Sequence, residues 1–510
     1  MDFLRHANKI DMVAPGVSAA YRLLRSSHNN GIYTSLGRYY NHTIFGRDCG
    51  MTAKFVADFD HDVAWNTILT LALHQGATSD DTTQEQIGRI HHELRDYTTW
   101  QGRWYDRFGL WWADRVWGTS NKRMLTYFAA DTTATYLRLV HKYSSRIDPS
   151  IIDRTVPQKN GSSVMLGASV EAAANWLVLQ VDENNLFKVT RTNRWSLPYQ
   201  TFADSVTAYA WNNGKAADTS RGHSYIEVQA YVLDALEDAV RLLPGSAYAE
   251  KWRQTAEAMQ EALFLDFWNE KTGTFAPGLF MRDGILSQLD SDMITSGWTL
   301  NVSFWNKRMD MKHRSRLISV IKRLFRDDFL TNVGIRTKSL ATHEPLGDII
   351  DYHGSRTVWP MFNFMVIEGL RRHGLYRLAR QLEFRIINGI NAVGNFPEFM
   401  IVEPDGRLYT PDKSAKLRRK GQMIPEQNIA FTVVPTLTLA YRHIYKRSTP
   451  AKSGWRYELE QSVLDSIPNV ELLSPVAAVD TLSPTPVRIQ RTMAGLKSAL
   501  HISSVILKNI

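Results

Sequence analysis

From about residue 50 to 446 the apolar residues recur every three to four positions, in one stretch after another. In "SYIEVQAYVLDALEDAVRLL" (224–243), Val228, Val232, Ala235, Leu236, Ala239 and Leu243 fall on a single stripe. A strand alternates its side chains between two faces and cannot carry that pattern; a helix with one buried face can. Similar stretches occupy 51–74, 85–100, 131–143, 166–180, 246–266, 311–325, 361–371, 374–390 and 427–445. With weaker ones near 204–213 and 290–305 they make about twelve helices. Strand-like alternation is sparse, so the expected class is all-α.

No sequence motif recurs at a fixed period, which disfavours a regular solenoid. The connections are unequal, and the richest, "WQGRWYDRFGLWWADRVWG" (100–118), is heavily aromatic. Long loops of this kind tend to be functional. Fifteen Trp, twenty Tyr and twenty-one Phe are a heavy aromatic load that core packing mostly explains, although flat rings also wall ligand clefts. The chain carries a net charge of +9, but its Lys and Arg are scattered apart from clusters such as "KLRRK" (416–420). That distribution suits a solvated surface rather than a nucleic-acid partner.

Cys49 is the sole cysteine, so no intrachain disulfide forms and a reducing, cytoplasmic setting is expected. The opening "MDFLRHANKIDMVAPG" has an early acid and no sustained apolar run, unlike a signal peptide. No apolar run approaches the ~20 residues that span a bilayer, so no membrane partner is expected. There is no phosphate-binding loop of the G-x-x-x-x-G-K-[ST] kind. His91 and His92 are adjacent and would point to different sides of a helix, unlike a zinc pair at i, i+4. Neither a metal nor a cofactor is expected, and Cys49 reads as a small packed residue.

The acids are more informative. Asp48, Asp131 and Asp204 each precede a helical pattern, and Ser224 with Glu227 forms an S-x-x-E box. Singly, each reads as a helix cap or a charge offsetting the helix dipole. If the helices alternate up and down around a barrel, however, alternate N-termini meet at one mouth. The acids would then ring a cavity suited to a ligand with many hydroxyls. Glu398, in "NFPEFM", follows a proline, and no helix begins after it. Its apolar neighbours argue for burial, which capping does not explain.

Nine stretches in order carry a resemblance: "IFGRDCGMTA", "IGRIHHELR", "YFAADTTATYL", "YQTFADS", "IEVQAYVLDAL", "GIRTKS", "DYHGSRTVWPMFN", "GLRRHGL" and "FPEFM". Between about residues 35 and 446 the chain resembles bacterial glycogen-debranching amylo-α-1,6-glucosidases among the six-hairpin glycosidases. The resemblance implies an (α/α)6 barrel over 35–446 with an N-terminal extension at 1–34, and the change of composition from "KRSTPAKSG" (446–454) onward marks 447–510 as a linker with a C-terminal appendage. Within the last, a helix is expected at 455–466 and another near 490–507.

It further implies a carbohydrate substrate, with Asp204 as general acid and Glu398 as general base of an inverting glycoside hydrolase. Arg47 and Asp48 match the segment lining the sugar subsite, and Asp131, Glu227, His353, Trp359 and Gln427 would face the cavity. Small α-glycosides, including mannosylglycerate-type solutes and sucrose, are alternative substrates, and a non-catalytic carbohydrate-binding barrel is an alternative role. Phe202 and Ala203 replace the family's Trp-Lys before the acid, and Cys49 replaces a common Ser. Arg356 stands in a segment lacking the usual His-Asp after Trp359-Pro360.

Overall fold

The computed structural model describes residues 7–25, 31–37, 40, 43–96, 111, 113–119, 123–303, 305, 310–343, 350–409, 425–445 and 448–468. Six helical segments among them close a ring, each packed on the next. In order these are Gly46–Val56, Thr132–Arg146, Ile226–Leu242, the 3-10 segment Ile294–Asn301, Pro360–Arg372 and Ala430–Tyr445, which returns to the first.

Each ring member is preceded in the chain by an outer helix: Val17–Arg25, His61–Leu73, Leu166–Leu179, Ala249–Asp266, Met311–Leu324 and Tyr376–Val393. The outer helices pack on the ring from outside. Burial follows that division. Ile226–Leu242, in the ring, buries Val228, Ala230, Val232, Leu233 and Leu236 as well as Glu227, Gln229 and Asp234, so its whole circumference is covered. Met311–Leu324 buries only Leu317, Val320, Ile321 and Leu324, a single stripe. The architecture is an all-α (α/α)6 barrel.

Four expected helices differ. The 51–74 stretch divides, because Asp60 accepts from the Val63 N–H at 3.3 Å and starts a second helix at His61. The 85–100 stretch is not helical over its described residues. Gln84 and Gly88 adopt φ of 58° and 86°, and a Cβ at Gly88 would meet the Ala172 carbonyl at 2.2 Å. The chain then runs into the strand Glu93–Asp96, paired with Arg123–Thr126. Residues 204–213 form turns rather than a helix, and residues 290–303 carry the short 3-10 segment Ile294–Asn301 in place of an α-helix.

Most of the aromatic 100–118 loop and the helix expected near 490–507 lie outside the described residues. Ala7–Val13 and Val17–Arg25 pack on Ala430–Tyr445, with Ile10, Val17, Tyr21 and Leu24 in the common core. Gly454–Leu464 packs on Tyr376–Val393, where Glu460 accepts from the Arg377 N–H at 2.6 Å. Among the described residues no helix is long and apolar enough to cross a membrane.

Candidate active site

Most residues singled out from the sequence lie where ring helices begin. Arg47 and Asp48 occupy the first turn of Gly46–Val56, and Asp131 precedes Thr132. Glu227 is the second residue of its helix, and Trp359 precedes Pro360. The capping role expected of the acids is not what they do. Phe45 and Tyr225 are the N-caps of the Gly46 and Ile226 helices, and Asp131 makes no side-chain cap bond. Ser224 instead donates to the Phe187 carbonyl at 2.9 Å. At Gly46 and Ile226 short strands run straight into the helix and take the cap position, freeing Asp48 and Glu227.

Arg47 is the centre of the acid group. Its guanidinium stands 3.2 Å from Asp204, 3.5 Å from Asp131 and 3.8 Å from Asp48, over the Phe202 ring at 5.0 Å. One cation faces three acids, and burial decides the balance. It pushes Asp48 up to about 8 and Asp131 up to about 6, against the opposing pull of Arg47. Glu227 is fully buried and pushed up to about 7, although Thr201 donates to it at 2.7 Å and Tyr209 donates as well. Asp204 is also raised by burial, with Arg47 opposing. Its side chain, 28% exposed, is the open member of the group.

Glu398 lies deep, at 4% exposure. Its Oε1 accepts from Tyr40 at 3.2 Å and from Tyr352, and its Oε2 accepts from the Glu426 N–H at 3.3 Å. Burial pushes it up to about 7 despite these donors. Trp359 stacks on Phe399 at 5.3 Å and His353 on Trp359 at 4.8 Å, forming an aromatic wall beside the acid. Tyr352 bonds Glu398 while the ring of the next residue, His353, meets the hydroxyl of Ser205 beside Asp204 at 2.9 Å, so one short stretch links the surroundings of the two acids.

His353 is buried, kept neutral by burial beside Lys338 and Arg47, and its Nδ1 lies 2.9 Å from the Ser205 hydroxyl. Gln427 is exposed; the buried residue at that point is its neighbour Glu426, whose backbone pairs with Glu398. Sequence reasoning missed Glu426, Tyr40 and Tyr352. Arg356 pairs with Glu403 at 3.2 Å, and Cys49 is a packed residue whose thiol reaches the Ile32 carbonyl. Among the described residues no group of three or more His, Cys, Asp or Glu is arranged to hold a metal.

No family model and no curated protein matches the chain. Solved structures do. An uncharacterized conserved protein from Thermus thermophilus superposes with a TM-score of 0.55 at 15% identity, covering 84% of this chain and 99% of the other. The GH63 mannosylglycerate hydrolase of the same organism, in complex with glucose, gives 0.54 at 15% identity, with 84% and 99% covered. A glycosidase variant in complex with glucose gives 0.51 at 12% identity, with 85% and 96% covered. At such identities the likeness establishes the fold.

Proposed function

We propose that this chain hydrolyses an α-glycosidic bond with inversion, Asp204 serving as general acid and Glu398 as general base. The observation that carries the reading is a pair of carboxyls in one neighbourhood with opposite surroundings. Glu398 is buried among three hydrogen-bond donors, a setting built for an acceptor. Asp204 stands more open, already raised by burial. A bound sugar would strip its remaining water and raise it further, keeping a proton available.

In the reaction, water attacks the anomeric carbon and gives its proton to Glu398 as the glycosidic C–O bond breaks. The departing oxygen takes the proton of Asp204. Inversion places the water opposite the leaving group, with carboxyls roughly 6.5–9.5 Å apart. Both Asp131 oxygens, Glu227 Oε2 and His353 Nε2 are buried without hydrogen-bond partners among the described residues. Sugar hydroxyls would supply those partners.

The order of the sequence motifs supports an α-1,6-glucosidic substrate of the debranching type. A small α-glycoside of the mannosylglycerate kind is the second reading, supported by the name of a neighbour in fold. A panel of α-linked oligosaccharides and mannosylglycerate, with product anomers followed by NMR, tests both. The expected product is the β-anomer. Release of the α-anomer overturns inversion, and hydrolysis of nothing in the panel overturns the function.

A further inference from the structure

We infer that Lys338 and Asp351 are positioning residues for Asp204, acting through a clamp on the turn that follows it. The inference rests on the proposed role of Asp204. Both side chains are fully buried, 3.6 Å apart, and both hold Thr207. The Lys338 ammonium donates to the Thr207 carbonyl at 2.8 Å, and Asp351 accepts from the Thr207 hydroxyl at 2.6 Å. Asp351 also accepts from the His353 N–H at 3.2 Å, whose ring meets Ser205 at 2.9 Å. The Ala208 N–H closes the turn onto the Ser205 carbonyl at 2.9 Å.

The frame behind the clamp is itself fixed. Lys338 bridges to Met293, the next residue donates its N–H to the Asp292 carbonyl, and the His353 ring packs against Trp359 at 4.8 Å and Phe362 at 6.0 Å. A buried ion pair adds little stability over apolar residues of the same volume. What this pair supplies is direction: it fixes both the carbonyl and the hydroxyl of a residue three positions beyond Asp204. Proton delivery to a leaving oxygen depends on such alignment, and a ~1 Å misplacement can cost on the order of 10²-fold in rate.

The test compares two substrates of the sugar that wild type hydrolyses: an alkyl α-glycoside, which needs protonation to leave, and the α-glycosyl fluoride, which needs little. Thr207→Val and the double variant Lys338→Met/Asp351→Leu are assayed beside Asp204→Asn, with folding followed by thermal melting. Both are expected to lose about 10–100-fold in kcat on the glycoside and less than about 3-fold on the fluoride. KM should change little. Equal losses on both substrates, or no loss on either, overturn the clamp. Should the double variant not fold, Thr207→Val decides alone. Failure of wild type on both substrates, or full activity of Asp204→Asn on the glycoside, is instead failure of the proposed function and takes the clamp with it.

Discussion

Two ion clusters share the ring helices, and one acid from each, Asp48 and Asp238, is equally buried but shifted in the opposite direction. At the helix starts, Arg47 faces Asp48, Asp131 and Asp204, and burial pushes Asp48 up to about 8. Farther along, Arg138 reaches Asp234 at 2.8 Å, His141 reaches Asp238 at 3.0 Å and Arg241 reaches it at 2.7 Å. Burial also pushes Asp238 up, but the hydrogen bond from His141 and the charge of Arg138 more than reverse it. Asp48 is 6% exposed and Asp238 7%, so depth does not explain the contrast. The supply of cations does. A cluster with matched cations holds helices together, whereas one starved of them keeps acceptors and protons available to a ligand.

The comparison breaks most visibly at the two proposed reacting acids. Asp204→Asn and Glu398→Gln should each lower kcat by about 10³-fold or more while leaving the melting temperature at or above that of wild type. Either variant retaining most of its activity would remove that residue from the chemistry. Asp234→Asn should do the reverse. It leaves the buried Arg138 without its charged partner, at a cost of about 3–5 kcal/mol in denaturant unfolding, with activity per folded molecule unchanged. Loss of turnover without loss of stability there would erase the distinction between the clusters.

Much of this was legible in the sequence, though unevenly. The ring helices announce themselves because apolar spacing responds to burial. Asp204 emerges from motif order, since nothing local distinguishes it from a cap, whereas Glu398 already stands apart through its apolar neighbours and the lack of a helix after it. The cap reading of Asp48 and Glu227 failed because two-residue strands at Ile44–Phe45 and Ser224–Tyr225 lead directly into the helices. Such short pairings depend on partners far along the chain. The same applies to Tyr40 and Tyr352, which meet at 3.2 Å across 312 positions, and to Glu426, which reaches Glu398 through its backbone. The 85–100 stretch misled because left-handed residues interrupt an otherwise helical pattern.

A smaller effect sharpens the comparison through pH. The folded protein holds the Asp48 proton up to about 8, whereas the ordinary value is 3.8. Between those values the folded state binds more protons than the unfolded one, so stability falls as pH rises. Asp48→Asn removes that titration. Wild type should therefore lose more melting temperature between pH 5 and pH 8 than the variant does. Equal slopes would mean that Asp48 is ionised throughout.

The finest test concerns how the donors set the titration of Glu398. A general base must be ionised, and burial places Glu398 at about 7, so kcat/KM should fall as pH drops below that value. Tyr40 donates to its Oε1 at 3.2 Å, which favours the charged form. In Tyr40→Phe the carboxylate loses that donor, its pKa rises, and the acidic limb moves to higher pH, with less than about a tenfold loss at the plateau. Arg138→Met, in the other cluster, should destabilise the fold and leave the limb where it was. A limb that stays fixed or moves down in Tyr40→Phe would show that Glu398 does not govern it, because removing a donor from a carboxylate can only weaken its hold on the charge.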